Sequence, residues 1–181
     1  MFAAHGFPST TFACIYNVKV RFTVREYRPE DFDTLWSIDQ SCFAQGIAYT
    51  RYELRTYIHR HTAFTLVAES VEHPAAPNPI ILGFVVAESS RRAVGHVITI
   101  DVRAAARRLR VGSTLLSAAE QRLRDSKCDS VRLETAVNNA SALAFYKRHG
   151  YDVTNVIPHY YSNGVDALLL EKSLLSVKTA S

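Results

Sequence analysis

Residues Val97 to Leu116 read V-I-T-I-D-V-R-A-A-A-R-R-L-R-V-G-S-T-L-L, and this stretch decides the fold. It opens as a strand: Ile98, Ile100 and Val102 alternate with Thr99 and Asp101, mostly β-branched residues that suit a pleated surface. It closes as a helix: Val111, Leu115, Ala119 and Leu123 recur at every fourth position and form one apolar face. Arg103, Arg107, Arg108 and Arg110 crowd the turn between them, Gly112, Ser113 and Thr114 follow, and no acid lies between Asp101 and Glu120. A helix start presents unpaired N–H groups and a partial positive charge. Small residues let an anion come close to that backbone. The stretch therefore predicts a strand–turn–helix unit with a seat for a diphosphate, the alternative being a solvated basic turn. Neither G-x-x-x-x-G-K-[ST] nor G-x-G-x-x-G occurs, so nucleotide P-loop and Rossmann readings have no support.

Working outward towards the N-terminus, Ile80 to Ala87 is nearly continuous apolar sequence with Gly83 inside it, the pattern of a buried strand. Glu72 to Pro79 holds three prolines and reads as a surface loop, and Phe64 to Glu69 as a strand. Thr50-Arg51-Tyr52-Glu53 fits a capping box that opens a helix to about His59. An earlier helix starts at Pro29-Glu30-Asp31 and turns Phe32, Leu35, Ile38 and Cys42 inward. The linker between these helices is Phe43 to Tyr49, and Val20 to Tyr27 supplies a first strand. Towards the C-terminus, Val131, Leu133 and Thr135 alternate as a strand. Asn138 or Asn139 caps a short helix whose face carries Ala142, Phe145 and Tyr146, and Gly150 fits its C′ position. Two final strands run from Tyr151 to Ile157 and from Val165 to Glu171. The predicted order is β-α-α-β-β-β-α-β-α-β-β, an α/β (α+β mixed-sheet) protein.

A length of 181 residues suits a single domain, expected at 21–173, with 1–20 as an N-terminal extension and 174–181 as a C-terminal tail. Hydrophobic residues make up 48% and charged residues 21%, the balance of a soluble globular protein. The net charge of +4 is mild and does not demand nucleic acid as a partner. Cys14, Cys42 and Cys128 are odd in number and far apart, which predicts reduced thiols in a cytoplasm. His59 and His61 do not share a helix face, so no metal site is expected. No segment reads as a signal peptide or a membrane span.

Three motifs, taken with the basic turn, resemble the GNAT acyltransferase superfamily. The turn is similar to its coenzyme A loop, [RQ]-x-x-G-x-[GA]: Arg107 and Gly112 fall on the pattern, and Arg110 stands where the first glycine is usual. The strand before it, G-H-V-I-T-I-D-V from Gly95 to Val102, looks like the one whose backbone meets the pantetheine arm. Leu133 to Tyr151, L-E-T-A-V-N-N-A-S-A-L-A-F-Y-K-R-H-G-Y, resembles L-E-V-x-x-x-N-x-x-A-x-x-x-Y-x-x-x-G-F. His159 to Glu171, H-Y-Y-S-N-G-V-D-A-L-L-L-E, resembles Y-Y-x-x-G-x-D-A-x-x-M. The resemblance covers about residues 22–172 and is closest to the RimI-type ribosomal-protein and N-terminal alanine N-acetyltransferases. It implies the GNAT fold and acetyl-CoA as co-substrate. The coenzyme would be held by Ile100, Asp101, Val102, by the loop of Arg107, Arg108, Leu109, Arg110, Val111, Gly112 and Ser113, and by Asn139 and Tyr146. An arginine at 110 is expected to keep an ordinary helical φ and to point its side chain outward.

Acetyl transfer to an amine needs a neutral nucleophile, a polarised thioester and a proton for the departing sulfur. Val131, Leu133 and Thr135 point to one face, so Arg132 and Glu134 share the other, where a carboxylate can take the amine's proton directly or through water. The bland alternative is a solvent-facing strand acid. The resemblance makes Glu134 the general base and Tyr146, otherwise a core tyrosine, the general acid. It also implies that Phe43, Ile47 and Tyr49 of the linker, with Tyr160 and Tyr161, hold a peptide N-terminus. If the backbone there is extended, Tyr160 and Tyr161 face opposite ways. An α-amine has a reference pKa of about 8 against about 10.4 for lysine, so an N-terminus asks less of a modest base. The expected reaction is acetylation of a protein or peptide α-amine by a monomer or weak dimer, with no nucleic-acid or membrane partner. The alternatives are a small-molecule amine as acceptor, or a non-catalytic module binding acyl-CoA or nucleic acid.

Overall fold

The computed structural model describes residues 21–43, 46–71, 79–90 and 92–175. Its strands are β1 (Phe22–Glu26), β2 (Ala63–Ser70), β3 (Ile81–Ser89), β4 (Val94–Val102), β5 (Ser130–Ala136), β6 (Asp152–Ile157) and β7 (Ala167–Ser173). Its helices are α1 (Phe32–Cys42), α2 (Arg51–Ile58), α3 (Val111–Asp125) and α4 (Ala140–Arg148), with single 3-10 turns at Pro29–Asp31 and Ala104–Ala106. The strands form one seven-stranded sheet in the order β1-β2-β3-β4-β5-β7-β6. Every neighbouring pair is antiparallel except β4 and β5. The element order is the one the sequence predicts.

The sheet separates two cores. On one face α1 and α2 bury Phe32, Leu35, Ile38, Leu54 and Ile58 against Val67, Phe84 and Val86. On the other, α3 buries the predicted stripe of Val111, Leu115, Ala119 and Leu123 with Val85, Val97, Val131 and Leu133. β3 is therefore covered on both sides, which is why its sequence is apolar almost throughout. A Cβ at Gly83 would lie 2.4 Å from the Asp101 carbonyl, so β3 and β4 approach closely only because this residue is glycine. The buried Glu120 carboxylate ties α3 to the far end of the sheet: Lys172 Nζ donates to it at 2.7 Å and the Tyr151 hydroxyl at 3.1 Å. Leu174, one residue past the boundary expected at 173, is buried in the α3 core, and its N–H donates to the Asp129 carbonyl.

Local signals act as the sequence predicts. Thr50 and Glu53 form the reciprocal capping box of α2, and Asn139 caps α4 by accepting from the Ala142 N–H at 3.1 Å. Gly150 follows α4 with a φ of +82°.

Two expectations fail. The first is the single face of β4. Thr99 pairs with Val86 and Val97 with Ala87, so Ile98 is an extra residue, a β-bulge. Ile98 packs on the α1–α2 side while Ile100 and Val102 pack on the α3 side. The strict alternation of Ile98, Ile100 and Val102 is thus broken by one inserted residue. The second is the backbone of Arg110, which is left-handed with a φ of 66°, not helical. Arg107 is extended and Val111 begins the helix, and the chain makes that change of direction through positive φ at Arg108, 63°, and at Arg110. The arginine adopts the turn that a glycine would take without steric cost.

Candidate active site

β4 and β5 pair in parallel only over Val94–His96 and Ser130–Arg132. β4 continues to Val102 and β5 to Ala136 with no further pairing between them. The two strands therefore diverge, and the facing backbone groups of the second half of β4 are left available for a ligand. Antiparallel neighbours hold the outer sides of both strands. The divergence opens on both faces of the sheet, and the two environments differ.

The α3 side has the chemistry of an anion seat. Arg110 is the N-cap of α3 and makes no side-chain cap bond, and the first turn contains no acid. Arg108, Leu109 and Arg110 are exposed. Positive φ at 108 and 110, alternating with ordinary φ at 109 and 111, turns successive N–H groups towards one concavity, a known anion-binding arrangement. Arg107 is folded back, its Nε donating to the Val102 carbonyl at 3.2 Å, so it braces the loop against β4. Gly112 and Ser113 lie against α4: a Cβ at 112 would meet Phe145 at 3.6 Å, and Ser113 Oγ lies 3.0 Å from His149 Nε2. Ile100 and Val102 border the same core. The expected coenzyme residues of β4, the loop and α4 are thus brought to one end of the divergence. Asp101 is the exception in orientation. Its side chain is buried on the α1 side, where Thr99 Oγ1 donates to it at 3.1 Å, and burial followed by the charge of Asp39 pushes its carboxyl well above the usual range. Only its backbone faces the opening.

Tyr146 is buried at the edge of this region, its ring edge-on to Phe145 and Tyr151. Its hydroxyl has no hydrogen-bond partner among the described residues. Burial, then the charges of Asp101 and Tyr161, raises its pKa, so the hydroxyl keeps its proton at neutral pH. Asn139 uses its Oδ1 on the cap of α4 and on Ser141 Oγ, which leaves its amide N–H groups for a ligand.

The α1–α2 side carries the carboxylate. Glu134 is half-buried on β5, opposite in face to the buried Val131, Leu133 and Thr135, as the alternation predicts. His96 Nε2 lies 2.7 Å from Glu134 Oε2, and its Nδ1 lies 3.6 Å from Glu88 Oε1. Sequence alone assigns His96 no role. The signal is a histidine within the β-branched run of β4, but it has no partner until β4 and β5 are laid side by side. Tyr160 and Tyr161 lie within range of the Glu134 charge. Tyr160 and Tyr161 do not face opposite ways: they sit in a turn, not a strand, and their rings meet edge to face at 5.0 Å. Tyr160 has its pKa pushed up to about 12 by burial, then by Glu134 and Tyr57, with Arg132 opposing. Tyr161 is raised by burial, then by Tyr160 and Glu134.

The linker reaches the same place. Ser162 Oγ donates to the Gly46 carbonyl at 2.9 Å, and a Cβ on Gly46 would lie 2.9 Å from Asn163 Cβ. Tyr49 is fastened by its N–H to Asp39 Oδ2 at 2.9 Å and by its hydroxyl to the Ile98 carbonyl at 3.3 Å, and it lies edge-on to Tyr57 at 5.0 Å. Phe43 closes α1 through its N–H to the Asp39 carbonyl, and Ile47 is half-buried beside Gly46. The linker and the tyrosine loop therefore meet at Gly46, Ser162 and Asn163.

A family model, Acetyltransferase (GNAT) family, matches residues 31–151. The chain belongs to the GNAT acetyltransferase family. An N-alpha-acetyltransferase of Sulfurisphaera tokodaii is 37% identical over 81 residues, which is 44% of this chain and 48% of that protein. The chain thus spans about half the length of that relative. An N-alpha-acetyltransferase of Saccharolobus solfataricus is 29% identical over 160 residues, 84% of this chain and 93% of that protein. Among solved structures, Ard1 from Thermoplasma volcanium superposes with a TM-score of 0.74 at 27% identity, over 87% of this chain and 100% of that one. In this GNAT chain no helix among the described residues is long and apolar enough to cross a membrane. Cys42 and Cys128 are free thiols, and Cys14 lies outside the described residues.

Proposed function

We propose that this chain is an acetyl-CoA-dependent N-acetyltransferase whose acceptor is the N-terminal α-amine of a protein or peptide. The observation that carries the reading is the pair of proton-handling groups at one divergence of two parallel strands. Glu134 with His96 stands on the α1–α2 side, and Tyr146, buried and protonated, on the α4 side. The names of the archaeal relatives support the same acceptor class.

In this reading Arg107 braces the loop, and the N–H groups of Arg108 to Ser113 hold the diphosphate. Ile100 and Val102 supply the strand edge for the extended arm, and the Asn139 amide donates beside it. Bound there, the coenzyme supplies an activated thioester acyl group. Glu134 accepts the proton of the incoming amine, and the His96 imidazole fixes the orientation of that carboxylate. Tyr146 holds at its hydroxyl the proton that the departing sulfur requires. Tyr49, Tyr160 and Tyr161, with Ile47 and Phe43, form the wall against which the acceptor's first residue lies.

Acetyl-CoA turnover, read by free-thiol release, tests the reading against peptides with varied N-termini, their Nα-blocked forms and a panel of small amines. Turnover confined to free N-termini supports it. Turnover confined to small amines, or to lysine in blocked peptides, overturns it.

A further inference from the structure

Beside Glu134 lies a cavity of about 370 Å³ lined by Glu88, Ser90, Arg92, Val94, His96 and Arg132. It adjoins Glu134 at two points. His96 lines it and touches Glu134 at 2.7 Å. Arg132 lines it and shares a face of β5 with Glu134 two residues on, roughly 7 Å along the strand.

The charges of the cavity are unequal in their partners. Glu88 is engaged by Arg60 at 3.0 Å and faces His96. Arg92 and Arg132 are exposed, and neither has an ion-pair partner among the described residues. Two guanidinium groups thus line a hollow whose one carboxylate is already paired. An extended polypeptide advances about 3.3–3.6 Å per residue. A chain whose amine reaches Glu134 brings its second or third residue within side-chain reach of Arg132.

We propose that this cavity is a specificity subsite for a carboxylate side chain, aspartate or glutamate, at the second or third residue of the acceptor polypeptide. The proposal rests on the N-terminal acceptor reading above. Arg132 makes the nearer contact and Arg92 the outer one, and both act on binding, not on proton transfer.

The test is steady-state kinetics at low ionic strength with matched peptides bearing Glu, Gln or Lys at residue 2 or 3. Exposed ion pairs are individually weak, so the glutamate peptide should show a KM about threefold to tenfold below its glutamine counterpart, with little change in kcat. The ratio should shrink at about 0.5 M salt, where screening is strong. In the Arg92→Gln/Arg132→Gln variant the ratio should fall to near one, and Arg132→Glu should favour the lysine peptide. Retained acetyl-CoA affinity, read by calorimetry, verifies that each variant is folded. Equal KM values for the three wild-type peptides overturn the subsite and leave the N-terminal reading standing. So does an acidic preference that survives in the double variant. If no free N-terminus is acetylated while small amines are, the acceptor reading fails and the subsite falls with it.

Discussion

His96 Nε2 and Glu134 Oε2 lie 2.7 Å apart, across the last paired residues of two parallel strands. That distance requires a proton between them. The contact sits where β4 and β5 separate, so it both closes the paired end and aims the carboxylate into the opening. His96 also lies 3.6 Å from Glu88, so its ring is bordered by carboxylates on two sides.

Glu134 and Tyr146 should respond differently to alkali. Glu134→Gln keeps the shape and removes the base, and general base catalysis contributes about 10²–10⁴-fold, so kcat should fall within that range with acetyl-CoA affinity intact. Raising the pH should restore part of the loss, because more amine is then neutral unaided. Tyr146→Phe should also lower kcat, without alkaline rescue, since alkali cannot supply the missing proton. The measurement is kcat against pH for both variants on one good peptide. Near-wild-type kcat across the range in Glu134→Gln would show that Glu134 is only a strand residue.

His96→Ala should lower kcat by less than Glu134→Gln does, because it removes the support of the base and not the base. The two groups touch, so their effects should not add. The double variant is expected to have a kcat within about threefold of Glu134→Gln alone. Multiplicative losses would mean that His96 acts independently of Glu134.

Arg110 holds a φ of 66° that an L side chain adopts at a cost. Arg110→Gly should relieve that strain and raise stability by about 1 kcal/mol, partly offset by the entropy of a new glycine. Acetyl-CoA affinity should be equal or better. A charge-assisted hydrogen bond is worth about 1.5–3 kcal/mol, so a loss of roughly tenfold or more in calorimetry would show that the Arg110 guanidinium itself binds a phosphate.

Asp39 is fully buried, and burial pushes its carboxyl up to about 6 from 3.8. The folded protein therefore holds this proton up to about pH 6, while the unfolded chain releases it near pH 4. Between those values the folded state binds more protons, so stability should fall as the pH rises from about 4 to about 6, by as much as about 3 kcal/mol from this group. Asp101 is shifted in the same direction and adds to the slope. In Asp39→Asn, denaturant unfolding across that window should show a shallower decline. An unchanged slope would place the titration elsewhere.

The sequence by itself determined the elements and their order. Local rules suffice for that: the four-residue recurrence of α3, the capping box of α2 and the nearly continuous apolar run of β3 each act within a few residues. It also determined that Glu134 leaves the core face of β5, since the alternation of Val131, Leu133 and Thr135 needs no partner strand. Only the tertiary structure decided which side of the sheet each β4 residue faces. One extra residue at Ile98 reverses the parity, and a bulge is defined by the strand opposite. The same holds for Arg110, where the direction demanded between β4 and α3 overrode the residue's own preference for negative φ. His96 and Glu134 are 38 positions apart in sequence, and their contact exists only through the register of two parallel strands. Parallel register is set by the packing of the crossover helix, and no short-range signal carries it.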